Sequence, residues 1–569
     1  ISLRSNVIED ITKEMDSKEL LHLLWTDDPY KLLLRVPSTP FLRIDILGKK
    51  RGLQDSPNRL KAIIIDILSV EEEQGHCYTT FDTLQQLLRE AEASGKFSSY
   101  KYNSQKVTEN LAEMIKMGWL AKCGADMIYN AKIFKAESSI LDDLKEMLVS
   151  GTKPFSDKEI SKSLEEYQKE KKIDFSQQQQ EAIKKCLKSP ISILTGLPGT
   201  GKSTVIMFLA HFLAQKKLSI KLMAPTGLAA KSIGERTQQD ASTIHKALGY
   251  QGASWRFHKK NKLTHDIIIV DESSMIDLWT FKALIDATPS DCRIIFVGDD
   301  EQLPPVGVGT PFSDMIHSGV VPSSKLTKIY RQEKESKIIK LAHAISKGET
   351  LDLDIGDDLK VLDIRNDDEL LENIKKLLLW AKKNKEDLTI ICPSKQTIVG
   401  VEALNSKAAE LLNENSPCKV AGRYFRVGDK AIILKNNYQK EIFNGDLCRI
   451  TDIDVTSGEI SVELFDGKRQ EVITSDMIED GQLGLAYVLT AHKSQGMEYP
   501  TVAFIMSRSY DSRLRVKNLV YTAITRPRKK LIIMGDIPAF RDAAVNNTIK
   551  ERRSGLIIRL KKEVPCPTV

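Results

Sequence analysis

The chain of 569 residues is too long for one hydrophobic core, and its length predicts several domains. Its 41% hydrophobic and 28% charged residues are typical of a folded globular protein and argue against an intrinsically disordered chain. The net charge of +6 allows a basic groove but does not demonstrate one.

The eight cysteines are scattered, with no C-x-x-C pair and no Cys/His cluster at metal-binding spacing. They indicate reduced thiols, as in a cytoplasmic protein. No apolar run approaches the roughly 20 residues that a membrane-spanning helix requires, so we expect no contact with a membrane.

Residues 1–152 show the apolar spacing of helices, as in Leu60 to Leu68, followed by two strand-like runs at 119–122 and 127–129. Helix, helix and hairpin in this order predict a helical, winged-helix-like region, a fold that binds DNA and equally serves protein contacts. The charged stretch 153–175 predicts a solvated helix or linker.

Two series of apolar strands then alternate with helical patterns, the first in residues 176–318 and the second in residues 319–417 and 485–550. This alternation predicts the α/β class, with two parallel sheets flanked by helices. Residues 418–484 carry short alternating segments broken by turn residues, which predicts an inserted small β-barrel. Residues 551–569 are left as a C-terminal tail.

A glycine-rich loop lies between a strand-like run, Ile191 to Thr195, and a helical pattern. It reads Gly196-Leu197-Pro198-Gly199-Thr200-Gly201-Lys202-Ser203-Thr204. In this order, backbone N–H groups and a helix N-terminus can surround a polyphosphate, with Lys202 at the terminal phosphates and the Ser203 hydroxyl on Mg²⁺. The alternative is a glycine-rich turn without a ligand, which leaves the flanking strand and helix unexplained.

Two adjacent carboxylates, Asp271 and Glu272, end a later buried strand. Ligands of open α/β sheets bind at that edge, where Asp271 can hold Mg²⁺ through water and Glu272 can polarise an attacking water. After a further strand, the amide of Gln302 could contact the γ-phosphate; the alternative is an ordinary acidic loop.

Phosphoryl transfer also requires positive charge at the transition state, commonly an arginine from another surface. The candidates in the second α/β series are Arg331, which follows Tyr330, and Arg526. Either alone is more simply a surface charge. If both close on a nucleotide, hydrolysis is coupled to domain motion.

Together with Ala224–Gly227, Thr243–His245 and Thr490–Glu498, these segments resemble the motif series of superfamily 1 DNA helicases. The similarity is greatest to the RecD-like branch, which moves 5′ to 3′ on single-stranded DNA, and it spans about residues 175–540. It implies two RecA-like motor domains with an inserted SH3-like barrel, and ATP and Mg²⁺ as cofactors.

The resemblance also assigns nucleotide contacts. Gln179 would read the adenine, Tyr330 would stack near it and Glu498 would approach the ribose. The expected catalytic residues are Lys202, Glu272, Gln302, Arg331 and Arg526, and the expected metal ligands are Ser203 and Asp271. The expected ATP-binding residues are Gln179, Gly196, Pro198, Gly199, Thr200, Gly201, Lys202, Ser203, Thr204, Tyr330, Gly496 and Glu498.

The same resemblance assigns a single-strand track that makes sequence-independent contacts. Its expected residues are Pro225, Thr226, Thr243, His245, His492, Ser494 and Gln495, with Asn437 on the barrel. Trp255 and Phe257, in the stretch 249–264, lie where the family has a pin-like hairpin that splits duplex; the alternative is an exposed loop. A helix-hairpin-helix is expected near the N-terminus, but Val36–Phe41 lacks its glycine, which leaves DNA binding there open.

The sequence therefore predicts an ATP-dependent DNA helicase that acts on single strands and single-strand/duplex junctions, in repair, recombination or replication. We expect a monomer in the bacterial or phage-infected cytosol, associated with the nucleoid, with repair or replication proteins as partners. Two alternatives stay open: a translocase that strips proteins from single strands, and an ATP-switched DNA-binding protein. Arg331, Arg526 and His492–Glu498 argue against the passive switch.

Overall fold

The structure, a computed structural model, describes residues 11–12, 14–149, 152–252, 254–328, 336–353, 355–437, 440, 442–465, 469–547 and 552–563. It contains two parallel β-sheets, an antiparallel barrel sheet and an N-terminal region of helices with a three-stranded sheet. The predicted α/β class with two parallel sheets and an inserted barrel is confirmed. Among the described residues, no helix is long and apolar enough to cross a membrane.

The N-terminal region is built from amphipathic helices around a core that contains Phe41, Ile64, Leu88 and Leu111. Its elements are α1 (Ser17–Trp25), α2 (Lys31–Arg35), α3 (Phe41–Lys50), α4 (Pro57–Glu73), β1 (Tyr78–Thr80), α5 (Phe81–Ala93), α6 (Ser104–Lys116), β2 (Leu120–Cys123), β3 (Met127–Asn130) and α7 (Ala131–Val149). The hairpin β2–β3 occurs where the sequence predicted its two strand-like runs. The hairpin pairs with β1 in the order β1-β3-β2.

The first sheet domain follows, and its six strands are all parallel. Its elements are α8 (Asp157–Lys171), α9 (Gln177–Lys188), β4 (Ile191–Gly196), α10 (Lys202–Gln215), β5 (Ile220–Ala224), α11 (Gly227–Thr237), β6 (Ala241–Thr243), α12 (Ile244–Ala247), β7 (Ile267–Val270), α13 (Leu278–Ala287), β8 (Arg293–Gly298), α14 (Pro311–Ser318) and β9 (Ser323–Leu326). The strand order β6-β5-β7-β8-β4-β9 brings the ends of β4, β7 and β8 to one edge. Ile268 and Val270 face one core and Ile267 and Ile269 the other, so both faces are covered.

The helix α8 differs from the prediction of a solvated helix or linker. Its buried residues Ile160, Leu164 and Tyr167 pack into the core of the first sheet domain, where the rings of Tyr167 and Phe208 are 5.3 Å apart. The charges that dominate the sequence of this stretch occupy the outer face. Three to four apolar residues per two turns give a helix one apolar face, which is enough for α8 to pack against the first sheet domain.

The second sheet domain and the barrel complete the architecture. Their elements are α15 (Lys337–Lys347), β10 (Leu359–Asp363), α16 (Asp367–Asn384), β11 (Leu388–Ile391), α17 (Val401–Leu412), β12 (Cys418–Val420), β13 (Arg423–Phe425), β14 (Lys430–Ile433), β15 (Leu447–Asp454), β16 (Glu459–Leu464), β17 (Gln470–Ile473), α18 (Ser475–Glu479), β18 (Leu483–Leu485), β19 (Val488–Leu489), β20 (Tyr499–Met506), α19 (Lys517–Ile524), β21 (Pro527–Gly535) and α20 (Ile537–Val545). The parallel sheet has the order β10-β21-β20-β11-β19, and the antiparallel barrel sheet has the order β17-β16-β15-β14-β18. The barrel is therefore an insertion between α17 and β19.

The C-terminal residues 552–563, here called the clasp, are a packed element rather than a free tail. They contain α21 (Gly555–Glu563), whose residues Leu556 and Leu560 are buried in the core of the first sheet domain. Arg553 forms an ion pair with Glu71 of α4. Ser554 Oγ donates to Asp314 Oδ2 at 2.6 Å, and Gly555 N donates to Glu137 Oε1 at 3.2 Å. The clasp thus joins the N-terminal region to the first sheet domain.

The buried carboxylate of Asp314 gives the clasp a testable pH dependence. Burial raises the pKa of Asp314 to about 7, although the hydrogen bond from Ser554 opposes the rise. The folded chain therefore holds a proton that the unfolded chain releases, so the free energy of unfolding contributed by this group falls as the pH rises from about 4 to about 7. Asp314→Asn removes the titration but keeps an oxygen for Ser554.

The quantity to compare is the difference between the free energies of unfolding of the parent and of Asp314→Asn. We expect this difference, parent minus variant, to be lower at pH 8 than at pH 5. Urea unfolding at the two pH values measures this difference directly. A difference that does not change with pH would contradict the buried, protonated carboxyl.

Candidate active site and adjoining groove

The glycine-rich loop between β4 and α10 forms the floor of a cavity of about 390 Å³. Gly199 and Gly201 have φ of 77° and 86°, a left-handed conformation that favours glycine. A Cβ on Gly201 would lie 2.3 Å from Gln179 Nε2, so this position also lacks space for a side chain. Lys202 Nζ donates to the carbonyls of Gly196 and Leu197, which places the ammonium group against its own loop.

The walls of this cavity come from both sheet domains. The lining residues are Leu197, Pro198, Gly199, Thr200, Gly201, Lys202, Ser203, Thr204, Ala229, Ser232, Arg236, Asp271, Glu272, Gly298, Asp299, Gln302, Gly496, Glu498, Thr525 and Arg526. The structure therefore brings together most of the residues that the sequence assigned to the nucleotide. Tyr330 and Arg331 lie outside the described residues.

Two described nucleotide candidates, Gly196 and Gln179, do not line the cavity. Gln179 lies beneath the loop. Its Oε1 accepts from Ser176 N at 3.0 Å, and its Nε2 donates to Thr200 O at 3.2 Å. The side chain is buried. In this structure its amide supports the loop instead of facing the cavity.

The carboxylates of Asp271 and Glu272 face the cavity from the end of β7. Glu272 has φ of 51°, an unusual left-handed backbone for a residue with a side chain, and its N–H donates to Asp271 Oδ1 at 2.9 Å. Burial raises the pKa of both carboxyls, and the charge of Asp271 raises the pKa of Glu272 further. A more basic carboxylate is better suited to take a proton from water.

Arg526 reaches the cavity from the second sheet domain, just beyond α19. It is 4% exposed and donates to Thr522 O at 2.8 Å and to Met497 O at 3.3 Å. These bonds fix the direction of the guanidinium group. Its positive charge opposes the rise in the pKa of Glu272.

Residues that the sequence reasoning missed join α19 to the loop after β8. Tyr521 OH donates to Asp299 Oδ2 at 2.9 Å, and Leu303 N donates to Thr522 Oγ1 at 2.9 Å. Asn518 Nδ2 donates to the carbonyls of residues 301 and 302 at 2.9 and 3.0 Å. The loop that carries Gln302 is thus fastened to the helix that leads to Arg526.

Two further arginines also escaped the sequence reasoning, one that lines the cavity and one that pairs with a lining residue. Arg236 of α11 donates to Ser203 Oγ at 2.7 Å. Arg528 forms an ion pair with Glu498 at 2.9 Å. Neither arginine carries a local signal, because each lies in an ordinary charged stretch of the sequence.

A second cavity, of about 860 Å³ and here called the groove, lies between the two sheet domains and the N-terminal region. Among the described residues that line it, the only carboxylate is Glu73, whereas six side chains are basic. The basic residues are His76, Lys395, His492, Lys493, Arg513 and Arg552. Of these, the sequence reasoning identified only His492. Residues 303–306 line the groove from the loop that also carries Gln302.

Three other residues that were expected on the single-strand track are buried within the scaffold. Thr243 Oγ1 caps α12 by accepting from Lys246 N at 3.1 Å. Ser494 Oγ donates to Ala491 O at 2.9 Å, and Gln495 Nε2 donates to Leu303 O at 3.3 Å. In this structure their side chains hold loops in place, because these polar groups satisfy nearby backbone. Their contact with DNA stays a prediction.

The remaining track candidates lie on the first sheet domain and the barrel. Pro225 and Thr226 are half-buried between β5 and α11, and the Thr226 hydroxyl caps α11 by accepting from Ala229 N at 3.3 Å. His245 is half-buried on α12. Asn437 forms an isolated antiparallel bridge with Ile442 in the barrel loop, and its neighbour Tyr438 lies outside the described residues.

The pin-like stretch is a compact turn instead of a projecting hairpin. An isolated antiparallel bridge joins Tyr250 and Trp255. The Trp255 ring lies 4.6 Å from that of Tyr250 and 5.3 Å from that of His245. Trp255 and Phe257 are both half-buried and pack against the core of the first sheet domain. In this structure both rings are partly covered by the protein, and their stacking on a base stays a prediction.

Three features of the cavity define the class of protein. They are a phosphate-binding loop, two acidic residues at the end of β7 and an arginine from the second sheet domain. This combination is that of a P-loop nucleotide hydrolase of the two-domain motor class. Family comparisons give the finer class. Residues 174–366 match an AAA domain, residues 404–464 an ATP-dependent RecD-like DNA helicase SH3 domain, residues 485–534 a UvrD-like helicase C-terminal domain, and residues 2–78 an ATP-dependent RecD2 DNA helicase HHH domain. In these segments the chain is similar to the RecD-like helicases of superfamily 1.

Individual relatives agree with this family. The ATP-dependent RecD2 DNA helicase of Deinococcus radiodurans is 29% identical over 547 residues, which cover 93% of this chain and 73% of that protein. The RecBCD enzyme subunit RecD of Buchnera aphidicola is 27% identical over 502 residues, covering 74% and 82%. A solved structure of two Pif1 helicases at forked duplex DNA is 21% identical, covers 64% of this chain and 92% of that chain, and has a TM-score of 0.40, a likeness too low to support an argument.

Proposed function

We propose that this chain is an ATP-dependent DNA helicase that moves 5′ to 3′ along single-stranded DNA. The observation that carries the proposal is the loop 299–306, which lines the nucleotide cavity through Asp299 and Gln302 and lines the groove through residues 303–306. The same loop is bonded to α19, which leads to Arg526. A change at the γ-phosphate would therefore reach the groove through a few residues.

Each part of the nucleotide cavity has a proposed role. Lys202 exchanges its bonds to loop carbonyls for the β- and γ-phosphates, while the loop N–H groups hold the phosphate oxygens. Glu272 orients the attacking water and accepts its proton, and Arg526 stabilises charge on the γ-phosphate. Gln302 contacts the γ-phosphate and registers its loss.

A magnesium ion fits the donor groups of this cavity. Ser203 offers a hydroxyl, Asp271 offers a carboxylate, and both residues line the cavity beside the phosphate loop. Hydroxyl and carboxylate oxygens are the donors that a hard divalent cation prefers. When bound, Mg²⁺ neutralises charge on the β- and γ-phosphates.

The groove is the proposed path of the DNA strand, since basic side chains suit backbone phosphates and give binding without base specificity. Stacking in a DNA duplex averages about 1.4 kcal/mol per base-pair step. Each base stacked on an aromatic side chain recovers roughly 1 to 3 kcal/mol. Binding alone can nearly balance strand separation but cannot give it a direction, so ATP hydrolysis is required for net movement.

The biological setting follows from the relatives. One is named an ATP-dependent DNA helicase, and several are named subunits of the RecBCD enzyme. We infer a role in DNA repair, recombination or replication at the nucleoid, as a monomer that acts on single strands and junctions and contacts other repair or replication proteins.

Strand displacement on duplexes with either a 5′ or a 3′ overhang tests unwinding and direction together. We expect ATP-dependent displacement from the 5′ overhang and strong stimulation of ATP hydrolysis by single-stranded DNA. Displacement from the 3′ overhang alone would reverse the proposed polarity. Stimulated hydrolysis without displacement from either substrate would favour a single-strand translocase, and an unchanged hydrolysis rate would favour an ATP-switched binding protein.

A further inference from the structure

The clasp places one arginine in the groove and its neighbour in an ion pair. Arg552 lines the groove, and its Nη1 donates to Gly307 O at 3.0 Å. Arg553, the next residue, pairs with Glu71 and donates to Tyr78 O at 3.0 Å. Of these two adjacent arginines, Arg553 holds the clasp to the N-terminal region, whereas Arg552 lies at the wall of the groove.

The position of Arg552 depends on a glycine of the N-terminal region. A Cβ built on Gly75 would lie 2.2 Å from Arg552 Cζ, so the guanidinium group lies directly against the Gly75 backbone. Gly75 also has a left-handed φ of 92°, which a residue with a side chain rarely adopts. The N-terminal region therefore leaves room for the Arg552 side chain at the wall of the groove.

The guanidinium group of Arg552 has no carboxylate partner among the described residues, and its one protein acceptor is a carbonyl. Burial lowers the pKa of Arg552, because the charged form has lost part of its hydration. A half-buried cation in this condition is stabilised by an incoming anion. The planar guanidinium fork matches the oxygens of a phosphate group.

We propose that Arg552 binds a backbone phosphate of the single strand in the groove, so that the C-terminal clasp is part of the DNA-binding surface. This inference rests on the proposed function, because it takes the groove as the strand path. Lys395 and His492 line the groove from the second sheet domain, whereas Arg552 comes from the end of the chain. The bonds of Arg553 and Ser554 hold the clasp in place, so the phosphate contact would fix the strand relative to the first sheet domain.

The test is the salt dependence of binding to fluorescent oligo(dT), measured by anisotropy for the full chain. Arg552→Gln removes the charge and leaves a shorter, planar amide in its place. Losing one phosphate contact should weaken binding about tenfold at low salt and reduce the slope of log K against log salt by about 0.7. Arg552→Lys should restore the slope, because it restores the charge.

Arg559→Gln is the matched control, since Arg559 lies on the same clasp, donates to Ser138 Oγ at 3.0 Å and is outside the groove lining. Its affinity and slope should equal those of the parent. If the parent binds with a steep salt dependence and Arg552→Gln keeps the same slope, the inference is wrong and the proposed function stands. If the parent itself does not bind oligo(dT), the proposed function fails first.

Discussion

Replacing Lys202 with alanine is expected to lower the rate of ATP hydrolysis at least about a thousandfold, with single-stranded DNA present or absent. The cations among the described residues that line the cavity are Lys202, Arg236 and Arg526, and only Lys202 belongs to the phosphate loop. Its charge also opposes the raised pKa of Asp271, Glu272 and Asp299. Alanine therefore removes both the phosphate contact and the charge that helps to keep the carboxyls ionised.

Steady-state phosphate release measures this effect, and anisotropy with oligo(dT) shows whether the groove is intact. Lys216→Ala is a matched control at the other end of α10, where Lys216 pairs with Glu159 on the surface. We expect the control to hydrolyse ATP at the parent rate and both variants to bind DNA. Hydrolysis within a few-fold of the parent in Lys202→Ala would refute the assignment of this loop.

The nucleotide cavity was largely predictable because its parts are local in sequence. The loop 196–204 lies between a strand and a helix, and the pair Asp271–Glu272 ends the buried strand β7. Apolar runs and glycine spacing therefore suffice to place both features in the sequence. Parallel strands then bring their ends to the same edge without further information. Arg526 required the family resemblance, since an isolated arginine carries no local pattern.

The contacts between domains were not predictable from local pattern. Tyr521 and Asp299 are 222 residues apart, and Ser554 and Asp314 are 240 apart. The clasp was read as a tail, and only the structure shows that Leu556 and Leu560 of its nine-residue helix are buried. A short polar motif also does not indicate where each of its side chains points. Ser494 was expected on the single-strand track, whereas in this structure its hydroxyl is bonded to a nearby backbone carbonyl.

Removing the charge of Arg526 should separate nucleotide binding from turnover. We expect Arg526→Gln to bind ATP with affinity within a few-fold of the parent but to hydrolyse it at least about a thousandfold more slowly, the range observed when a transition-state arginine is lost. Glutamine can still donate to Thr522 O, so the end of α19 should keep its conformation. Lys202→Ala, by contrast, should lose affinity and turnover together.

Fluorescent ATP-analogue binding and single-turnover hydrolysis measure the two quantities separately. Arg541→Gln is the control, because Arg541 lies on α20 of the same domain, donates to Leu351 O at 3.3 Å and is outside the cavity lining. If Arg526→Gln lost affinity and turnover equally, Arg526 would bind the ground state rather than the transition state. If turnover survived, the wall contributed by the second sheet domain would be structural, and closure of the two domains would have no chemical role in hydrolysis.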